Sequence, residues 1–240
     1  MATPKFINFS RFEGSLLDAV ARIDSELCEL WRCRLKEAVY LRKSSDPYAG
    51  GLELDGDFFE CTTLADVESI ASINRPFALV YGAVDPRSEF NLAFHDVTED
   101  GYTITGGVES NMVYFRDDDE YSTSGQWFEG MLISLVTVLN AKVCAYGNTV
   151  TVKDKNMSLD DIKAAMRRVR YIDLSPDEVL ERLRTGDLLE LPYPVFHAIS
   201  TDLIGKDEID KLMKSRPCSP RVEYKQSPAH HIFTDLTQPK

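Results

Sequence analysis

Phe77-Ala-Leu-Val-Tyr-Gly-Ala-Val84 and Phe90-Asn-Leu-Ala-Phe-His-Asp-Val97, followed by the turn Glu99-Asp-Gly101, decide the reading of this chain. Both runs are rich in β-branched and aromatic residues, and an acidic turn ending in glycine closes the second, which is a strand and hairpin signature. Connections this short imply antiparallel pairing. Residues 102–105 and 108–115 continue the sheet, with Gly106-Gly107 as a second tight turn or a bulge in one bent strand. Residues 143–146 and 149–152 read as a further hairpin about Gly147-Asn148.

Working outward, Ser10-Arg-Phe-Glu13 has the form of a capping box. Behind it Phe12, Leu16, Val20, Ile23, Leu27, Leu30 and Trp31 recur at helical spacing, which predicts a long amphipathic helix. Its exposed face turns basic toward the end, with Arg32, Arg34, Lys36, Arg42 and Lys43. A short helix is expected from Thr62 or Thr63 with Leu64, Val67 and Ile70 on one side, stopping before Arg75-Pro76. Residues 126–140, with Trp127, Met131, Leu135 and Leu139 in one row, read as a largely buried helix on the sheet. From residue 156 the pattern turns helical: Ser158-Leu-Asp-Asp161 and Ser175-Pro-Asp-Glu178 cap two helices, and a last one spans about 207–214. Leu191-Pro-Tyr-Pro194 between them must be extended. The expectation is an α+β fold: an antiparallel sheet of about five or six strands packed with helices, plus a helical C-terminal third. The divisions would be a core over 1–155, a helical extension over 156–215, and a proline-rich tail over 216–240, poorly ordered unless Ile232-Phe233 docks.

The length of 240 residues suits one domain with appendages, and 43% hydrophobic with 28% charged residues is ordinary for a folded soluble chain. The N-terminus lacks the basic start and apolar run of a secretory signal, and the most apolar stretch, 131–139, falls far short of a membrane span, so a cytoplasmic protein is expected. Five cysteines, Cys28, Cys33, Cys61, Cys144 and Cys218, form no C-x-x-C pair and are expected as reduced thiols.

There is no G-x-S-x-G elbow, no phosphate-binding glycine loop and no twelve-residue calcium loop, although Leu54-Asp-Gly-Asp57 and Asp117-Asp-Asp119 gather carboxylates. Regular alternation places His95 and Asp96 on opposite strand faces, which forbids a simple dyad between them. His197 reads as a hydrogen-bonded core or rim residue, and His230-His231 as an exposed pair in the tail. Asp177 with Glu223-Tyr-Lys225 echoes the carboxylate-lysine set of metal-dependent nucleases, but the chain has no basic groove for a phosphate backbone. No cofactor, metal or catalytic residue is expected.

Charge says more. Residues 46–129 carry eighteen Asp and Glu against Arg75, Arg87 and Arg116, a balance of −15. The whole chain sums to −12, which leaves +3 for the remainder. Acid so segregated repels nucleic acid and attracts basic proteins. Asp55, Asp57 and Glu60 form one acidic loop; Asp117, Asp118, Asp119, Glu120 and the neighbouring Tyr121 form a second, with Trp127 close by. Acids around aromatics suit an interface for an Arg/Lys-rich cleft, since charge steers encounter and aromatic anchors supply buried energy.

The order of a capped helix, a short helix, an antiparallel meander containing Phe77-Ala-Leu-Val-Tyr-Gly82, a helix beginning near Gly125-Gln-Trp-Phe128 and a strand Val143-Cys-Ala-Tyr146 resembles bacterial immunity proteins of polymorphic-toxin and type VI secretion systems. In particular it is similar to the family paired with restriction-endonuclease-like toxins, over roughly residues 10–152. The resemblance implies a non-enzymatic antitoxin that binds a basic cognate toxin, with no nucleic-acid or membrane partner. The rival readings are a small metal-dependent hydrolase using the same carboxylates, perhaps with His95 or His197, and a general acidic adaptor.

Overall fold

The computed structural model describes residues 5–9, 12–43, 52–73, 75–83, 88–99, 101–108, 118–148, 194–215 and 222–235. The chain divides into two compact units: unit 1 holds 1–4 and 11–139, and unit 2 holds 5–10 and 140–240. Unit 1 is thus inserted between the first strand of unit 2 and the rest of it.

In unit 1 the helix α1, Leu16–Ser25, starts at Ser15, whose hydroxyl accepts from the Asp18 N–H. It runs into a π-helical turn, Glu26–Leu30. The long amphipathic helix expected from Ser10 is therefore shorter at both ends. Phe12–Glu13 is a two-residue strand, β2, and the basic residues after Trp31 lie on strand β3, Cys33–Lys43, rather than on a helix. Arg32, at φ 52, reverses the chain between the two. Short strands β4, Leu52–Leu54, and β5, Phe59–Glu60, both pair with β3. Helix α2, Leu64–Ala71, starts where expected, at Thr63, and is closed by a capping box of Thr63 and Asp66. Hydrogen bonds from the Thr63 hydroxyl and the Thr62 and Thr63 N–H groups hold the Asp66 carboxyl below its usual range.

Strands β6, Phe77–Ala83, β7, Ser88–Thr98, and β8, Gly101–Val108, form the meander that the opening motifs predict. The order across unit 1 is β4-β3-β6-β7-β8, antiparallel throughout, with β2 on β8. Gly106 and Gly107 lie inside β8, opposite Leu92 and Asn91, and make no turn. Gly101 needs its missing side chain, because a Cβ there would stand 2.0 Å from the Phe12 carbonyl oxygen. Helix α3, Asp118–Val138, completes the unit and begins earlier than expected, so residues 118–120 are helical rather than a loop.

One face of this sheet carries Phe77, Leu79, Tyr81, Phe90, Leu92, Phe94 and Ile104, all buried. Cross-strand pairs stack on it, Phe77 on Phe94 at 5.0 Å and Tyr81 on Phe90 at 5.8 Å, and Phe128 of α3 meets Phe90 edge-on. Each such ring pair adds about 0.5–1.5 kcal/mol to simple burial. The opposite face carries a smaller cluster, Val39, Leu41, Ala78 and Ala93, covered in part by Leu52.

Unit 2 is also a sheet, in the order β1-β9-β10-β12-β11, antiparallel throughout. Its strands are β1, Lys5–Phe9; β9, Val143–Asn148; β10, Pro194–Ser200; β11, Val222–Gln226; and β12, His230–Asp235. Gly147 and Asn148 continue β9 and pair with β1, so no hairpin turns there. Helix α4, Lys206–Ser215, matches the last predicted helix, with Ile209 buried.

The fold expectation is corrected on this evidence. The described chain is mainly antiparallel sheet, with twelve strands and four α-helices, and its C-terminal part contributes sheet rather than a helical third. Proline-rich composition near the C-terminus masked strand β12, His230–Asp235, in which His230, His231, Ile232, Phe233 and Thr234 are all buried, so no polar-apolar alternation marks it. The predicted helices near 158–169 and 175–186, the extended residues 191–193 and the strands 109–115 and 149–152 lie outside the described residues. No described helix is long and apolar enough to cross a membrane.

Candidate functional site

The acidic segment 52–60 runs along β3. Its geometry follows from alternation and one glycine. Phe59, opposite Ala38, turns its ring onto Tyr40 at 5.6 Å and anchors the segment. Gly56 takes φ +113, a left-handed conformation that costs a glycine little, and Asp57 and Phe58 follow it into solvent. Phe58 is 47% exposed and Leu54 53%, large fractions for side chains with no polar atoms.

The predicted partner-binding acids divide into three groups. Asp55 is committed within the fold: it pairs with Arg75, whose guanidinium lies 4.8 Å above the Tyr40 ring. Asp57 and Glu60 are exposed and, among the described residues, have no ion-pair partner. Asp118, Asp119, Glu120 and Tyr121 fall in the first turn of α3, and Asp117 lies outside the described residues.

The basic residues of β3 change the meaning of the charge segregation. Arg42 pairs with Glu53 at 2.7 Å and Lys36 pairs with Glu89, so strand pairing neutralises acids that the sequence shows as a block. Glu37 is the exception on this strand. It stands directly opposite Glu60, both are exposed, and no described cation pairs with either. Like charges directly opposed across strands repel, at a cost of up to about 1 kcal/mol.

A second cluster overturns an expectation. His95 and Asp96 do form a hydrogen-bonded pair, Nδ1 to Oδ2 at 2.9 Å. The argument from alternation fails because Asp96 is at φ 50 within a register shift between His95 and Thr98, which swings its carboxylate round to the imidazole. His95 Nε2 lies 3.4 Å from the Thr105 hydroxyl on β8. The imidazole is nearly enclosed, at 7% side-chain exposure, while the Asp96 carboxylate is 44% exposed. By donor and acceptor type this is a relay from carboxylate to hydroxyl, with the imidazole buried in the sheet.

Among the described residues the cysteine thiols are held protonated. Burial pushes the Cys33 thiol up to about 12 and Cys61 to about 11, and raises Cys144 further. Cys28, though exposed, is also raised, by partial burial and then by Asp24, which accepts its S–H at 3.6 Å. Thiols held protonated at neutral pH are poor nucleophiles and poor metal ligands. Among the described residues no three His, Cys, Asp or Glu side chains gather as a metal-ligand set. Trp127, near the acidic turn, meets Trp31 edge-on at 5.9 Å and is partly buried.

Sequence reasoning found Asp57 and Glu60 but missed Glu37, Leu54 and Phe58. Glu37 was hidden by its assignment to a basic helix. The strand alternation of Cys33-Arg-Leu-Lys36 was the available signal.

No family model matches this chain, and no curated protein matches it. Among solved structures it is similar to a T6SS protein of Pseudomonas aeruginosa, at 13% identity and a TM-score of 0.43, over 97% of this chain and 64% of that one. The chain thus spans less than two thirds of that protein's length. At that TM-score the likeness carries no argument about activity or partner.

Proposed function

We propose that this is a stoichiometric binding protein without catalytic activity, whose acidic surface on unit 1 docks a basic protein, and that the partner is a toxin neutralised by the contact. The opposed pair Glu37 and Glu60, with exposed Phe58 two residues before Glu60 and exposed Leu54 further along β3 opposite Leu41, carries the reading. A lysine or arginine from a partner set between those carboxylates turns repulsion into attraction on both sides. Phe58 and Leu54 then supply the apolar burial that charge alone does not. Asp57 extends the negative rim, and the acidic start of α3 adds long-range steering. The family of the partner, a nuclease-type toxin, rests on the resemblance to immunity proteins.

The test uses the full-length protein as bait at low and high salt, followed by binding kinetics with the captured partner. Two variants are compared with the wild type: Asp57→Lys with Glu60→Lys, and Asp117→Lys with Asp118→Lys and Asp119→Lys. Each is expected to slow association severalfold or more, an effect that shrinks as salt shortens the screening length from about 10 Å at 0.1 M. Unchanged association rates in both variants would sink the acidic-interface reading. Binding that leaves a toxic partner active would sink neutralisation alone.

A further inference from the structure

The chain has four histidines, and three of them, His197, His230 and His231, are buried together in the β9–β12 sheet of unit 2. We propose that these three imidazoles are an acid-sensitive latch: neutral, they tie β9, β10, β11, β12 and the turn before α4 into one sheet, and acidification opens that sheet while unit 1 stays folded.

The hydrogen bonds fix the neutral form. His231 Nε2 faces the Ile204 carbonyl at 2.9 Å, and a carbonyl only accepts, so Nε2 carries the proton. The bare Nδ1 then accepts from the Tyr224 hydroxyl at 2.8 Å. One neutral ring thereby joins β12 to β11 and to the turn that precedes α4. A second proton removes the acceptor that Tyr224 uses. His230 Nε2–H likewise donates to the Ala141 carbonyl at 2.8 Å, holding β12 to the segment that enters β9. Its Nδ1 is buried and has no hydrogen-bond partner among the described residues, so a proton added there becomes a buried donor without an acceptor. His197 sits on β10 between Phe233 of β12 and Ala145 of β9.

The charged and titratable groups around the latch do not offset this. Asp202, in the turn after β10, favours charge on His230, but burial outweighs it and His231 opposes it. Asp210 of α4 acts on Tyr224, whose phenol is raised by burial first. Cys144 on β9 is a fully buried, protonated thiol. Burial alone pushes His197 down to about 4 from an ordinary value of 6.5. In unit 1 the surroundings differ: the Asp96 carboxylate lies 2.9 Å from His95 Nδ1.

The sign follows from proton counting. Where a histidine's folded value is lowered, the open state binds more protons between the two values, so stability is complete above 6.5 and falls as pH drops toward 4. His197 alone raises the open population about 20-fold between pH 7 and pH 5.

The experiment is hydrogen exchange of the full chain at pH 7 and pH 5, corrected for intrinsic rates and read peptide by peptide. The expected result is that 194–200, 222–226 and 230–235 lose protection by about 20-fold or more, while 77–83, 88–98 and 101–108 change less than about threefold. Equal protection of the unit 2 strands at both pH values would overturn the latch, as would parallel loss in both units. His197→Gln removes one titrating group and should flatten the pH response of β10. If that variant does not fold, imidazole titration of the wild type by NMR decides instead, since a His197 ring titrating near 6.5 in the folded protein also overturns the proposal.

Discussion

Asp96 shows how one backbone angle can reverse a conclusion drawn from spacing. Alternation held for every neighbour that set the sheet's register, yet at φ 50 this residue leaves the pleat and joins His95. Nothing in Phe94-His-Asp-Val97 announces the shift, because a bulge is selected by the pairing of β7 with β8 and not by local composition. The angle and the hydrogen bond can be separated experimentally. Asp96→Ala loses the imidazole's partner and also keeps an L residue in the left-handed region, so it should cost about 2 kcal/mol. Asp96→Gly loses only the partner and should cost about 1 kcal/mol. Chemical denaturation of the two variants measures the difference, and equal losses would mean that the angle carries no strain. Glu60 is a residue of the reverse kind, legible in sequence as an acid and understood only through its neighbour. Replacing it with lysine beside Glu37 should raise stability slightly, by a few tenths of a kcal/mol, while weakening partner association.

Among the elements, those with a local chemical signature were legible and those defined by tertiary pairing were not. Thr63 and Asp66 announce α2 because a capping box satisfies two N–H groups within four residues, independent of the rest of the protein. Thr63→Ala removes that cap and should cost about 1 kcal/mol, seen as a lower denaturation midpoint with an unchanged slope. The strands from 77 to 98 were legible for a similar reason, since aromatic and β-branched runs bounded by turn residues have few other uses. The boundary between α1 and β3 was not. Helical spacing in the apolar residues up to Trp31 continues smoothly into a strand whose alternation starts at Cys33, and the switch occurs in a π turn followed by Arg32 at positive φ. Mistaking that strand for helix moved Lys36 and Arg42 away from Glu89 and Glu53, and so overstated how much acid the surface leaves unanswered.

At the scale of the molecule, composition gave the sign of the charge but not the architecture. The C-terminal sheet was obscured because β10, β11 and β12 are short and flanked by prolines, and because β10 pairs with β9, which is distant in sequence, and β9 with the still more distant β1. Ile7 and Phe9 of β1 are fully buried, although an N-terminal segment of that length would ordinarily be dispensable. Deleting residues 1–10 should therefore leave unit 1 resistant to limited proteolysis and make β9–β12 cleavable; protection of both units after the deletion would show that β1 adds nothing to unit 2. The interrupted path of unit 2 also has a consequence in time. On the ribosome β1 precedes most of unit 1 and its partner strand β9 follows it, on the order of ten seconds later at roughly 5–20 residues per second. Pairing of β1 with β9 therefore waits until the inserted unit has been made, which gives that unit time to fold first.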